Sequence, residues 1–261
     1  MNIPFSKRMV AACFGLVFVA AASAAQADDW QYELTPYLLA AGMSGTVGVR
    51  NVTTEVNPSF GDIADHLDAG FMGLFAAQNG PWTLSLEGVY MKLSGSGSHT
   101  RSGPEGIFSL NSSMDVSSAL YVAQGSVGYR LVDQATKLDL IGALRYTQVD
   151  ADADLVTRVQ PGVVFPDGGR SASGSEGWTD AVIGVRVIQP LAENWSLLGY
   201  ADVGAGGSDL TYQVIAGVNW DYAKGFTAKL GYRYLYWDYA DGGTVWDMAA
   251  SGSYLGLGIH F

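Results

Sequence analysis

The sequence predicts an all-β fold: a single antiparallel transmembrane β-barrel, counted at ten strands, with eight or twelve left open. Three observations predict it. Beyond residue 29 the chain divides into segments of 12 to 19 residues in which apolar side chains alternate with small or polar ones, the period of a strand with an apolar medium on one face. No apolar run after the N-terminal segment reaches 18 residues, so the sequence offers strands rather than helices for crossing a membrane. Tight turns alternate strictly with long stretches rich in Gly, Ser and Asp, which puts the long loops at one end of a barrel and both termini at the other. A soluble β-sandwich shares the short strands but does not demand that alternation. The 34 glycines and 12% aromatic content also suit many short, twisted strands.

Residues 1–27 read as a secretory signal peptide, and 28–261 as the barrel. Lys7 and Arg8 precede an apolar run from Met9 to Ala25, and Ala25-Gln26-Ala27 forms a small-residue cleavage site before Asp28. The run is short for a membrane anchor and is made mostly of small side chains. The single cysteine, Cys13, lies inside it. Cleavage after Ala27 therefore leaves no thiol, which excludes disulfides, thiolate metal sites and thiol catalysis. Cleavage also removes two positive charges and no negative one, so the formal charge of −11 deepens by two units. Nucleic acid is excluded as a partner.

The elements follow in order. Strand 30–42 leads into the first long loop, 43–66. Within that loop Thr46-Val47-Gly48-Val49 has strand-like residues, which is why the strand number stays open, and Phe60, Ile63, Ala64 and Leu67 have helical spacing behind a possible Ser59 cap. Strands 67–78 and 82–94 flank the turn Asn79-Gly80-Pro81, and 95–112 is the second long loop. Strands 113–131 and 137–150 flank a turn at 132–136, and 151–175 is the third long loop. Strands 176–189 and 194–206 flank 190–193, and a short loop at 206–209 follows. Strands 209–222 and 225–239 flank Ala223-Lys224, and 240–246 leads to the closing strand 247–261.

Facing separates lipid from lumen. In 225–239, Phe226, Ala228, Leu230, Tyr232, Tyr234 and Tyr236 share one face, and Thr227, Lys229, Gly231 and Arg233 share the other. In 209–222, Tyr212, Val214, Ala216, Val218 and Trp220 oppose Thr211, Gln213, Gly217, Asn219 and Asp221. The apolar set is the outer wall. Trp82, Tyr129, Trp195, Trp220, Tyr222, Phe226 and Phe261 gather near the short turns, and Tyr90, Trp178, Tyr236, Trp237 and Trp246 near the loops. Two such bands read as interfacial girdles.

By the same parity the lumen receives Glu33, Glu87, Asp139, Arg145, Asp180, Arg186, Asp202, Lys229 and Arg233, with Arg130 and His260 nearer the turn end. Charges in a narrow interior must pair. A barrel of eight to ten strands is largely filled by its own side chains, whereas aqueous channels belong to roughly sixteen or more. A plugging ion-pair network is thus expected ahead of a selectivity lining.

No catalytic constellation is legible, and no metal or cofactor is expected. Serine beside histidine at Ser98-His99 lacks an assignable carboxylate, and His66 and His260 stand apart from it. Asp150-Ala151-Asp152-Ala153-Asp154 opens like an EF-hand, but Leu155 and Pro161 occupy the positions that need glycine and glutamate. It reads as a solvated acidic loop, with weak Ca²⁺ or Mg²⁺ binding as the alternative.

The last strand alternates Leu255, Leu257, Ile259 and Phe261 with Tyr254, Gly256, Gly258 and His260. It resembles the C-terminal signal of bacterial outer-membrane β-barrels, in which Tyr254, Leu255, Leu257, Ile259 and Phe261 would be the residues read by the barrel assembly machinery. Thr35-Pro36-Tyr37, Gly42-Met43-Ser44-Gly45, Phe60 to Leu67 and Gly88-Val89-Tyr90-Met91-Lys92-Leu93 give the whole chain after the signal a similarity to proteobacterial outer-membrane β-barrel proteins of the opacity and surface-antigen type. That resemblance implies the bacterial outer membrane as location, with its lipids and lipopolysaccharide as surroundings, and brings no catalytic residues. The expected role is a surface or structural protein with a charge-paired, largely filled lumen. A narrow porin-like channel for small solutes is the alternative, and a lipid- or peptide-directed hydrolase needs a histidine–carboxylate pair that the sequence does not show. Oligomeric state is not legible.

Overall fold

A computed structural model describes residues 30–49, 52–102, 109–160 and 168–261; the expected signal peptide lies outside them. The elements are β1 (Gln31–Val49), β2 (Val52–Val56), helix α1 (Phe60–Asp65), β3 (Leu67–Asn79), β4 (Trp82–Ser102), β5 (Ser109–Asp133), β6 (Lys137–Gln160), β7 (Gly168–Ala192), β8 (Trp195–Gly206), β9 (Leu210–Ala223), β10 (Phe226–Asp241) and β11 (Thr244–His260). From β3 onward each strand pairs antiparallel with its neighbour in sequence, and β11 closes onto β1. The result is a closed barrel of ten strands with β2 as an outside strand on the far end of β1. Closure pairs each barrel strand with a neighbour on both sides where the ten strands meet, as strands in lipid require. At the β9–β10 turn Ala223 pairs with Phe226, and Gly225 adopts φ +80°, a left-handed conformation that suits glycine.

The outer wall carries the apolar face. Leu84, Leu86, Leu140, Leu144, Ile183, Val185, Val214, Leu230 and Leu255, on six of the ten strands, are exposed, an apolar belt of the kind that suits lipid. Rings frame it. Near the turns Trp82 meets Tyr129 at 4.8 Å, Trp195 stacks on Trp220 at 5.4 Å and Tyr32 on Phe261 at 5.8 Å. At the other margin Tyr90 lies 4.8 Å from Tyr121, and Tyr212 lies 5.7 Å from Tyr234. Trp178, Trp237 and Trp246, expected in this second band, are instead inside the barrel, the first two buried and Trp246 packed against the same cluster.

Three expected loops are largely ordered. Residues 95–102 continue β4 and 109–112 begin β5, and 151–160 and 168–175 extend β6 and β7. These extensions are ladder-paired, Gly95 with Val116 and Asp152 with Ser173 among them. Beyond the apolar belt both faces of a strand can be wet, so backbone pairing persists without the alternation that reveals strands in sequence. In 43–66 the strand reading of residues 46–49 holds, because β1 runs on through Val49. Helix α1 forms with a complete capping box, Ser59 Oγ accepting from Asp62 N–H and the Asp62 carboxylate accepting from Ser59 N–H. These Ser59 hydrogen bonds, side chain and backbone, hold the Asp62 carboxyl below its ordinary pKa.

One joint in the wall is short. β1 pairs with β3 only through Gln31–Pro36 against Gly73–Gln78. Above that point β1 stays with β11 along its whole length, while β3 stays with β4. The segment carrying β2 and α1 fills the notch, tied by Met43 N–H to Pro58 O at 3.0 Å and by Ser94 N–H to His66 O at 2.9 Å.

Candidate functional site

In the interior charged, aromatic and hydroxyl side chains of the described residues converge, and strand register stacks them in layers. Nearest the turns, Lys229 donates to Glu33, and Asp139 is shared by two arginines. Arg130 Nε lies 2.7 Å from Asp139 Oδ1 and Arg186 lies 2.7 Å from Oδ2. A cavity of about 560 Å³ opens at this end between Asn194, Asp221, Lys224, Thr227 and His260. There His260 Nε2 lies 2.8 Å from Thr227 Oγ1, which donates to Asp221. A hydroxyl has one proton, so while Thr227 donates to Asp221 it accepts from His260.

The middle layer is built on two arginines. Arg233 Nη1 reaches Glu87 Oε1 at 2.7 Å and the Tyr37 hydroxyl at 2.8 Å, while Tyr37 donates to Glu87 at 2.6 Å. Arg145 is fully buried. Its Nε donates to Gln124 Oε1 at 2.8 Å, Nη1 to Thr211 Oγ1 at 2.9 Å and Nη2 to Asp202 Oδ2 at 2.6 Å. Tyr200 adds a 2.6 Å bond to the same Asp202 oxygen. Four strands, β5, β6, β8 and β9, are thereby tied across the lumen. Asp180 departs from the expected network: although fully buried, it makes no ion pair among the described residues, and its Oδ1 accepts from Ser208 N–H at 2.7 Å. The physical reason is register, since Asp180 lies opposite Arg145 on the neighbouring strand but the guanidinium turns the other way, toward Asp202.

Above these layers the lumen turns apolar, which sequence reading missed. Leu120, Val122, Trp178, Leu235, Trp237 and Tyr239 form a buried cluster. Trp178 stacks on Tyr239 at 4.1 Å, and Trp237 donates to Thr147 Oγ1 at 3.1 Å. Met43, Ile63 of α1 and Met248 form a second cluster over it, with Met91, Leu93 and Trp246 against both sides. The signal was present: Leu235, Trp237 and Tyr239 share the parity of Lys229 and Arg233.

The remaining candidates lie elsewhere. His66 Nδ1 is 2.7 Å from Asp62 O, and His99 stands in the β4–β5 ladder opposite Ser112. Asp150 accepts from Gln148 and from Ser175 on β7. Among the described residues no three His, Cys, Asp or Glu side chains are grouped to hold a metal ion. In the closing strand Leu255 and Phe261 face outward, and Tyr254 lies inside over a glycine shelf, where a Cβ on Gly231 would fall 2.6 Å from its ring.

No family model matches the chain, and no curated protein matches it. Among solved structures it is similar to the outer-membrane protease OmpT from Escherichia coli, with a TM-score of 0.49 at 12% identity over 90% of this chain and 98% of that one. It is similar also to the translocator domain of the autotransporter NalP from Neisseria meningitidis, with a TM-score of 0.44 at 15% identity over 96% of each chain. A third is the attachment invasion locus protein Ail of Yersinia pestis, with a TM-score of 0.39 at 13% identity over 89% of this chain and 99% of that one. At these values no activity or residue role passes from them to this chain.

Proposed function

We propose that this is a non-enzymatic surface protein of the bacterial outer membrane, exported by a cleavable signal and closed to solutes by its own side chains. The observation that carries the reading is the filled lumen: two ion-paired layers and an apolar layer cross an interior only ten strands wide. Five cations, Arg130, Arg145, Arg186, Lys229 and Arg233, meet the carboxylates of Glu33, Glu87, Asp139 and Asp202 in direct pairs. A conducting path would need charges left to face water, whereas these are spent on one another. Lipids and lipopolysaccharide surround the belt, and the assembly machinery reads the strand of Tyr254, Leu255, Leu257, Ile259 and Phe261. Planar-bilayer recordings of the refolded protein test the reading. Conductance at background is expected, and resolved, ion-selective single-channel steps overturn it in favour of a narrow pore.

A further inference from the structure

We propose that the apolar half of the lumen is a blind binding chamber for an uncharged, medium-chain amphiphile whose head group both accepts and donates a hydrogen bond, with α1 as its removable cover. This goes beyond a closed barrel and leaves it intact, since only α1 need move and the ion-paired layers beneath stay shut.

The lining is adaptable. Met43, Met91 and Met248 surround Ile63, with Trp246 and Leu93 beside them, and methionine repacks around varied shapes more readily than branched residues do. A barrel that needed only a seal would be served by tightly packed aliphatics. The cover is weakly held. Ile63 is the single buried residue of α1, and the helix fills the notch where β1 and β3 have parted. Displacing it breaks no strand pairing of the barrel.

The floor says what the head group is. Trp178 is 5% exposed, and its Nε1 has no hydrogen-bond partner among the described residues. Two residues along the same face of β7, Asp180 Oδ2 has none either, and Ser208 Oγ, on the residue whose N–H bonds Asp180, is also without one. An orphaned donor, an orphaned acceptor and an orphaned hydroxyl, all deeply buried and carried on β7 and the β8–β9 loop that hydrogen-bonds to it, call for a group that can both accept and donate, such as a hydroxyl or a primary amide. No cation pairs with Asp180 among the described residues, so a carboxylate head buried beside it would go uncompensated. Depth sets the tail. On β4, Val89 packs against the cluster that holds Trp178, and Leu93 packs against the cluster that holds Ile63. Four residues of tilted strand span about 10 Å, which suits a free medium-length chain and not a whole membrane lipid.

The test is quenching of tryptophan emission by 10-bromodecan-1-ol in the refolded full-length barrel, with decanoate carrying the same bromine as the comparison. A saturable component is expected for the alcohol, and at least tenfold weaker binding for the acid. Trp178→Phe, which keeps the stack on Tyr239 but removes the donor, should weaken the alcohol about tenfold as read through Trp237 and Trp246. Ile63→Ala, which removes no strand pairing, should speed association several-fold. Absence of saturable quenching in both the parent and Ile63→Ala overturns the chamber. Equal binding of acid and alcohol, or an unchanged affinity in Trp178→Phe, overturns the head-group assignment, and an unchanged association rate in Ile63→Ala overturns the cover.

Discussion

Replacing Arg145 with methionine keeps most of its volume and removes its charge, and the structure sets the cost. Among the described residues Asp202 would lose the only cation paired with it, 2.6 Å away, in a site where both side chains are fully buried. Of its side-chain partners there it would keep the Tyr200 hydroxyl. Gln124 and Thr211 would each lose a donor as well. An uncompensated buried charge of this kind costs about 3 to 5 kcal/mol. Arg186→Met is the internal control. Its side chain is 22% exposed, and Asp139 keeps Arg130 at 2.7 Å, so the loss should be about 1 kcal/mol after allowance for solvent. The assay is urea unfolding in lipid vesicles followed by tryptophan emission, with the midpoint and slope read separately. Arg145→Met combined with Asp202→Asn should recover much of the loss, because the stranded charge goes with its partner. If Arg145→Met costs below about 1 kcal/mol and matches Arg186→Met, water reaches the middle layer and the closed-lumen reasoning fails.

Phe261→Lys should slow insertion in cells, because it places a charge at the lipid interface and removes the ring stacked on Tyr32 at 5.8 Å; insertion at the parental rate would dismiss the assembly-signal reading. Cysteines introduced in otherwise thiol-free barrels at Gly168 and Asn79, at opposite ends of the strands, should be labelled by an impermeant reagent on intact cells at the first position only, and the converse result reverses the orientation. Gly231→Ala should lower stability by about 1 to 3 kcal/mol, since the new Cβ would meet the Tyr254 ring at 2.6 Å and Ala216 O at 2.4 Å. Tyr254→Phe should be neutral or slightly stabilising in the same melts, because the buried hydroxyl it removes has no partner among the described residues.

The closed strand count, the turns and the outer face were legible because lipid forces strict alternation wherever a strand crosses it: Leu230 and Tyr232 had to oppose Lys229 and Arg233. Legibility stopped at the belt's margin. Gly95 to Ser102 and Gly168 to Ser175 show no apolar alternation in sequence, and what makes them strands is pairing such as Gly95 with Val116 and Ser173 with Asp152 on the neighbouring strands, a relation between distant residues that local composition does not carry. Inside, parity assigned the charged residues to one face but not to their partners. Asp180 and Asp202 look alike in sequence, and only the direction of the Arg145 guanidinium distinguishes a paired carboxylate from a solitary one. Trp178, Trp237 and Trp246 were misplaced for another reason: tryptophan near a strand's loop end is favoured both at a headgroup interface and in an apolar interior.

The layering of the lumen follows from where each layer sits relative to the membrane. An outer wall in lipid gains little from hydrophobic burial, since its side chains leave one apolar medium for another, so cohesion of the barrel depends on what crosses its interior. In the turn-side half the crossing is made by charge-assisted bonds of 2.6 to 2.8 Å between strands that do not touch, such as β6 to β8 and β4 to β10. These are geometrically exacting and fix which strands face each other. On the loop side the wall is notched and its strands rise to unequal heights, so exact pairing across the lumen is harder to maintain. Aromatic and methionine side chains tolerate that irregularity because dispersion does not demand one register. The interior therefore divides into a rigid, ion-paired floor and a deformable apolar ceiling, and the one helix of the described chain lies over the deformable part.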